Sequence, residues 1–160
     1  MKGKKILIIP LVLLVSIGIF YLIKPTKLPI PTKIIIYNEG GQKELDKTND
    51  NFQKIINLTN KRFHKQLYVA QDIVDDNSIS NFHKDGLGIE FLYSESHTFT
   101  GEIPFTYDKL YFQLTSNKYG NGQGSTVYTF QHGNQGHYLE YSRGELGYSK
   151  ELVDLVNKIK

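Results

Sequence analysis

The sequence predicts an α+β protein, a small domain with an antiparallel sheet packed by two main helices and preceded by an N-terminal transmembrane helix. Three observations predict it. About six segments alternate apolar and polar residues with period two, two segments repeat apolar residues at helical spacing, and tight loops rich in Gly and Asn join most of the strands.

Residues 1–5 form a basic tail with Lys2, Lys4 and Lys5. Residues 6–23, from Ile6 to Ile23, are an unbroken apolar run whose helix would be about 27 Å long, close to the roughly 30 Å of hydrocarbon in a bilayer. Pro10, Ser16 and Gly18 lie inside it, as membrane helices tolerate. A secretory signal needs a shorter apolar stretch followed by a polar segment. Here Ile19, Phe20, Tyr21, Leu22 and Ile23 prolong the run past the only small pair, so an uncleaved anchor is expected, with secretion the outcome if it is cleaved. The clustered N-terminal lysines place the N-terminus in the cytoplasm and the remainder outside it. Residues 24–32 hold Pro25, Pro29 and Pro31 and read as a stiff spacer.

The chain carries 19 Lys plus Arg against 16 Asp plus Glu. Five of those lysines fall in residues 1–27, which contain no acid, so the remainder holds two more acids than bases. The positive excess belongs to the membrane flanks, and no basic tract with interleaved aromatics suggests nucleic acid. There is no cysteine, which excludes lipoprotein modification and disulfides. The bias toward Lys, Ile and Asn suggests a bacterial chain.

Residues 33–160 are the length of one domain, expected outside the cytoplasm. Ile34, Ile35, Ile36 and Tyr37 make a strand over 33–38 that turns at Glu39-Gly40-Gly41, and residues 42–47, with Leu45 alone apolar, return as an edge strand. A helix opens near Asp50, with Gln53 completing a capping box, and Phe52, Ile55, Ile56, Thr59 and Phe63 form its apolar stripe. Leu67, Val69 and Ile73 alternate in a strand over 67–74. Asp75-Asp76 read as a loop and cap before a short helix over 78–84 that ends at Gly86. Leu87, Ile89, Phe91 and Tyr93 make the next strand, followed by a polar connection over 94–104 that includes a brief strand near 98–100. Residues 107–115 are a strand with Leu110, Phe112 and Leu114 inward, and 117–125, with Gly120, Gly122 and Gly124, a loop. Strands over 126–131 and 137–142 flank a hairpin loop at 132–136. Ser149 caps a last helix whose apolar face is Leu152, Leu155, Val156 and Ile159.

Five histidines are the natural place to look for metal or acid–base chemistry. His132 and His137 flank a predicted hairpin loop with Glu140 beyond, a candidate metal or hydrolase constellation, although its spacing matches no standard zinc signature. His64 sits near a helix C-terminus, where the helix dipole accounts for it. No serine stands in a Gly-x-Ser-x-Gly elbow, and Ser94, Ser96 and His97 are too close in sequence for strand geometry to converge them. The glycines at 120–124 lead into a strand instead of a helix, unlike a phosphate-binding loop. Eight of the eleven tyrosines lie in the second half, interspersed with Gly, Asn and Gln, and Tyr128, Tyr138 and Tyr141 are candidate ligand-binding residues.

Together these features predict a single-pass, membrane-anchored extracytoplasmic module that binds or regulates a protein or cell-wall partner without catalysis and without a cofactor. A hydrolase or metal-dependent activity at His132, His137 and Glu140 is one alternative. Carbohydrate or wall-polymer binding through the tyrosine-rich strands is the other.

Overall fold

The computed structural model describes residues 27–70, 74–100, 103–118, 125–139 and 141–159. The expected membrane helix over 6–23 and the start of the expected spacer lie outside them. Among the described residues no helix is long and apolar enough to cross a membrane.

In strand β1 (Lys33–Asn38), alternation sends Ile34 and Ile36 to one face and Ile35 and Tyr37 to the other. A tight turn with Glu39 and Gly40 at positive φ leads into β2 (Gly41–Leu45), the edge strand foreseen from its polar sequence. Helix α1 (Phe52–Asn60) buries Phe52, Ile55, Ile56 and Thr59. Its expected capping box does not form. No side chain caps the helix at Asn51; the entry is instead held by Asn49, whose side chain accepts from Asn51 N at 2.9 Å and whose carbonyl accepts from Phe52 N at 3.0 Å.

Strand β3 (Phe63–Val69) starts before the strand expected over 67–74 and takes in both Phe63 and His64, which were expected on the helix. Helix α2 (Asp76–Phe82) is capped by Asp75, whose carboxylate accepts from Ser78 N at 2.7 Å. Strand β4 (Leu87–Phe99) runs straight through the expected polar connection, and β5 (Phe105–Ser116) pairs back along it from Phe99↔Phe105. Ser94, Glu95 and Ser96 are exposed and sit where the β4–β5 register shifts between Leu92 and His97, yet pairing resumes at His97↔Tyr107 and carries the strand to Phe99. Four short strands follow: β6 (Ser125–Thr126), β7 (Thr129–Asn134), β8 (His137–Tyr138) and β9 (Arg143–Leu146). The last was missed, since Arg-Gly-Glu-Leu shows no alternation. The turn between β7 and β8 is only Gln135-Gly136, so His132 lies inside a strand and not in a loop. Helix α3 (Lys150–Ile159) is capped as expected by Ser149, whose hydroxyl accepts from Leu152 N at 3.2 Å.

The sheet order is β2-β1-β4-β5-β7-β9-β3, every pairing antiparallel, with β6 on β5 and β8 on β7. On one face α1 and α3 pack together over a core of Ile34, Ile36, Ile89, Phe91, Leu110, Phe112 and Phe130. Each such side chain contributes about 1.5–3 kcal/mol by leaving water. The two main helices do share one face, but α2 covers the opposite one, which the sequence reading left bare. There Ile79 and Val74 meet Tyr37, Tyr111 and Tyr138. Lys43 on the edge strand reaches across to the last helix and donates to the Ile159 carbonyl at 2.6 Å.

The expected spacer is shorter than its prolines suggest. Leu28 is buried in the main core and its N–H donates to Asn60 Oδ1 at 2.7 Å; Pro31 is buried, and Thr32 N donates to Leu92 O at 2.8 Å. From Leu28 onward the chain is part of the domain. Leu28→Ala should therefore cost about 2–5 kcal/mol in urea unfolding of the domain, whereas a free spacer residue would leave the transition where it was.

Candidate functional site: a buried glutamate among tyrosines

On the α2 face, alternation in β4 and β5 turns Glu90, Tyr111 and Gln113 away from the apolar core. Glu90 is only 6% exposed. Burying a lone carboxylate is costly, so its oxygens must be met by donors. Tyr37 from β1 donates its hydroxyl to Oε2 at 2.8 Å, and Tyr138 from β8 donates to Oε1. Tyr111 completes the group edge-on to Tyr37, its hydroxyl buried without a partner. Gly88 makes this possible, because a Cβ there would stand 2.3 Å from the Tyr111 hydroxyl.

Helix α2 closes the group. His83, which follows the helix, stacks on Tyr37 with ring centroids 3.6 Å apart, and burial pulls its pKa down. At the other end of α2, Asp76 accepts from Tyr138 N at 2.9 Å and meets His137 Nδ1 at 2.9 Å; these bonds lower the Asp76 pKa. Lys109 lies 4.1 Å from the Tyr138 ring centre and donates to Gly136 O at 2.8 Å. Burial, then the neighbouring Glu90 charge, raises the pKa of Tyr37, Tyr111 and Tyr138 well above the usual tyrosine value. These phenols stay protonated at neutral pH and donate. They are poor nucleophiles and poor bases.

The sequence-predicted site residues are distributed differently from the hairpin picture. His132 is buried, its ring stacked on Phe105 at 4.3 Å, and its Nε2 accepts from Arg143 Nε at 3.2 Å. Burial, then the Arg143 charge, lowers its pKa to about 4. His137 is exposed and engaged with Asp76, and Glu140 lies outside the described residues. The two histidines thus hold different partners, and among the described residues no group of three or more His, Cys, Asp or Glu is arranged to hold a metal ion. His97 packs edge-on against Tyr93 at 5.0 Å, and Ser96 bonds across to Asn134 at 2.7 Å. The glycines at 120–124 are outside the described residues.

Of the three candidate tyrosines, Tyr138 is buried on Glu90, while Tyr128 and Tyr141 are exposed. Tyr68 and Tyr148 are exposed as well, and all four stand around β9. Tyr68 pairs with Gly144, whose missing side chain leaves space for the Tyr68 ring; Tyr128 O accepts from Leu146 N at 2.8 Å; Tyr141 precedes the strand and Tyr148 follows it. Sequence reasoning passed over Glu90 and Tyr68. The only signal for Glu90 was an acid set between Ile89 and Phe91 in an otherwise apolar strand. Among the described residues, a pocket of about 230 Å³ lined by Ile36, Asn38, Gly41, Gln42 and Lys43 opens at the β1–β2 hairpin. It falls below the roughly 300–1,000 Å³ usual for small-molecule sites.

Comparison with protein-family models, with curated proteins and with solved structures finds no match to this chain.

Two stability measurements follow from this geometry. The folded state holds His132 at about 4 against 6.5 for the free side chain, so it favours the neutral ring. That stability is complete above pH 6.5 and is lost as pH falls toward 4, on the order of 3 kcal/mol in all. Urea midpoints taken across that window should drop in the parent and stay flatter in His132→Gln. Tyr138→Phe removes one donor from the buried Glu90 and should cost about 1–3 kcal/mol by the same assay, whereas an unchanged midpoint would mean that the carboxylate is solvated.

Proposed function

We propose that this chain is a membrane-anchored extracytoplasmic module that binds or regulates a partner at the cell surface without catalysis. One observation carries the reading: the buried Glu90 is bonded to Tyr37 and Tyr138 and the buried His132 to Arg143, while four tyrosines stand exposed around β9. Groups committed in this way hold a fold, and exposed tyrosines offer broad contact area with a polar tip. The apolar run at 6–23 with its lysine flanks supports the anchor, and the lysine cluster at 2–5 supports a cytoplasmic N-terminus.

The same four tyrosines favour a second reading, in which the partner is a carbohydrate or wall polymer. Phenol rings stack on sugar faces, and the chain has no tryptophan to do so.

An impermeant amine label applied to intact cells should modify the domain. Crosslinking of the full-length chain should capture a partner, and Tyr68→Ala with Tyr141→Ala should reduce that capture about tenfold or more, the effect of losing roughly 1–2 kcal/mol of contact. Labelling only after the cells are opened would refute the outward placement. Capture that both substitutions leave intact would move the binding surface elsewhere, and release of a bound chain by soluble wall fragments would select the polymer.

A further inference from the structure

We infer that the domain docks on the anionic headgroup surface of the bilayer through the end at which the chain enters it, a surface carrying Lys27, Lys61, Tyr128 and Tyr148. This rests on the anchored reading above, adds an orientation to it, and divides the four exposed tyrosines: Tyr128 and Tyr148 face the lipid, and Tyr68 and Tyr141 are left for the partner.

Chain geometry sets the distance. Leu28 is fixed in the core, and the apolar run ends at Ile23, so five residue steps separate the hydrocarbon edge from the domain. Fully extended they span at most about 17 Å. The headgroup layer occupies roughly 5–7 Å of that. What remains is about 10 Å, comparable with the roughly 8 Å over which charges act at physiological salt. Only at full extension does the entry end stand about one screening length from the headgroups; any shorter path brings it inside the field of the lipid.

Hydrogen bonds identify which residues share that end. Leu28 N is held by Asn60 at the close of α1, beside Lys61 and Arg62. Arg62 is buried, and its side chain spans two further segments, donating from Nε to Gly147 O and from Nη2 to Val127 O, both at 2.9 Å; its own carbonyl accepts from Gly147 N at 2.7 Å. Tyr128 and Tyr148, the next residues in those segments, are 43% and 55% exposed. Arg62 thus links the chain's entry point, with its exposed Lys27 and Lys61, to the segments that carry the exposed Tyr128 and Tyr148.

The chemistry suits one occupant. Lys27 and Lys61 have no acidic partner among the described residues, as is also true of Lys47, Lys54, Lys84 and Lys158; their place at the chain's entry point is what sets them apart. Tyrosine settles at the headgroup level with its ring toward the acyl chains and its hydroxyl toward water, and lysine is drawn to anionic lipid.

The absence of tryptophan makes the test direct, because one substitution installs a single reporter. The full chain is reconstituted in phosphatidylcholine–phosphatidylglycerol vesicles containing headgroup-spin-labelled lipid, with Tyr148→Trp, Tyr128→Trp or Ser80→Trp; Ser80 is exposed on α2, on the other face of the sheet. Both tyrosine-site reporters should be quenched several-fold more than the Ser80 reporter. Lys27→Glu with Lys61→Glu should bring the three toward equality, as each lysine near an anionic surface shifts docking about fivefold. Equal quenching in vesicles that retain the chain would overturn the orientation and leave the anchor standing. Recovery of the chain in the aqueous fraction would overturn the anchor, and the orientation with it.

Discussion

A carboxylate buried in the middle of the sheet sets the terms for everything packed on that face. Glu90 lies between Ile89 and Phe91 on a strand whose other face is dry, and the period of two leaves it no way to water except through the opposite face. That face therefore has to supply donors. Tyr37 and Tyr138 do so from strands on either side, and because Tyr138 belongs to a two-residue strand, its position depends in turn on α2, whose Asp76 holds both Tyr138 N and the His137 ring. The helix, the short hairpin and the first strand are thus tied together through one acid.

The two faces of the sheet are stabilised by different means. Under α1 and α3 the contacts are mainly aliphatic and phenylalanine side chains, joined by Tyr93 and Tyr107, and their contribution follows the area removed from water. Under α2 the rings are mainly phenols and an imidazole, stacked or edge-on, with the Tyr37 and Tyr138 hydroxyls directed at Glu90. A face of the second kind is sensitive to shape as well as area. A methyl group at position 88 would displace the Tyr111 hydroxyl, a change that no count of apolar surface would flag.

Much of this architecture was legible from periodicity. The first strand, the edge strand, the strands through Phe91 and Phe112 and the Ser149 cap are where alternation, turn residues and capping chemistry place them. What periodicity could not show is pairing at long range. Residues 94–99 look like a polar connection because their side chains are mostly wet, yet the strand continues through an irregularity after Leu92 because β5 pairs again with His97, Thr98 and Phe99. Arg143–Leu146 has no alternation to detect, and it is a strand because β7 and β3 lie on either side of it. The site was less legible for the same reason. Tyr37, Glu90 and Tyr138 are distant in sequence and meet only once the strand order is known, and the prolines near residue 30 signalled extension without signalling that Leu28 would be drawn into the core.

The placement of β3 has a consequence for how the chain comes together. It leaves α1 early yet occupies the far edge of the sheet, where its partner is the last strand, and Lys43 on the opposite edge bonds to the final turn of the terminal helix. A ribosome emitting the chain from its N-terminus delivers both margins of the sheet long before the segments that secure them. Closure of such distant contacts is entropically slow, and it cannot begin until residues 143–159 have emerged. Through that interval the edge of β3 has no native partner, so it is the arrival of β9 that decides when the molecule ceases to be adhesive.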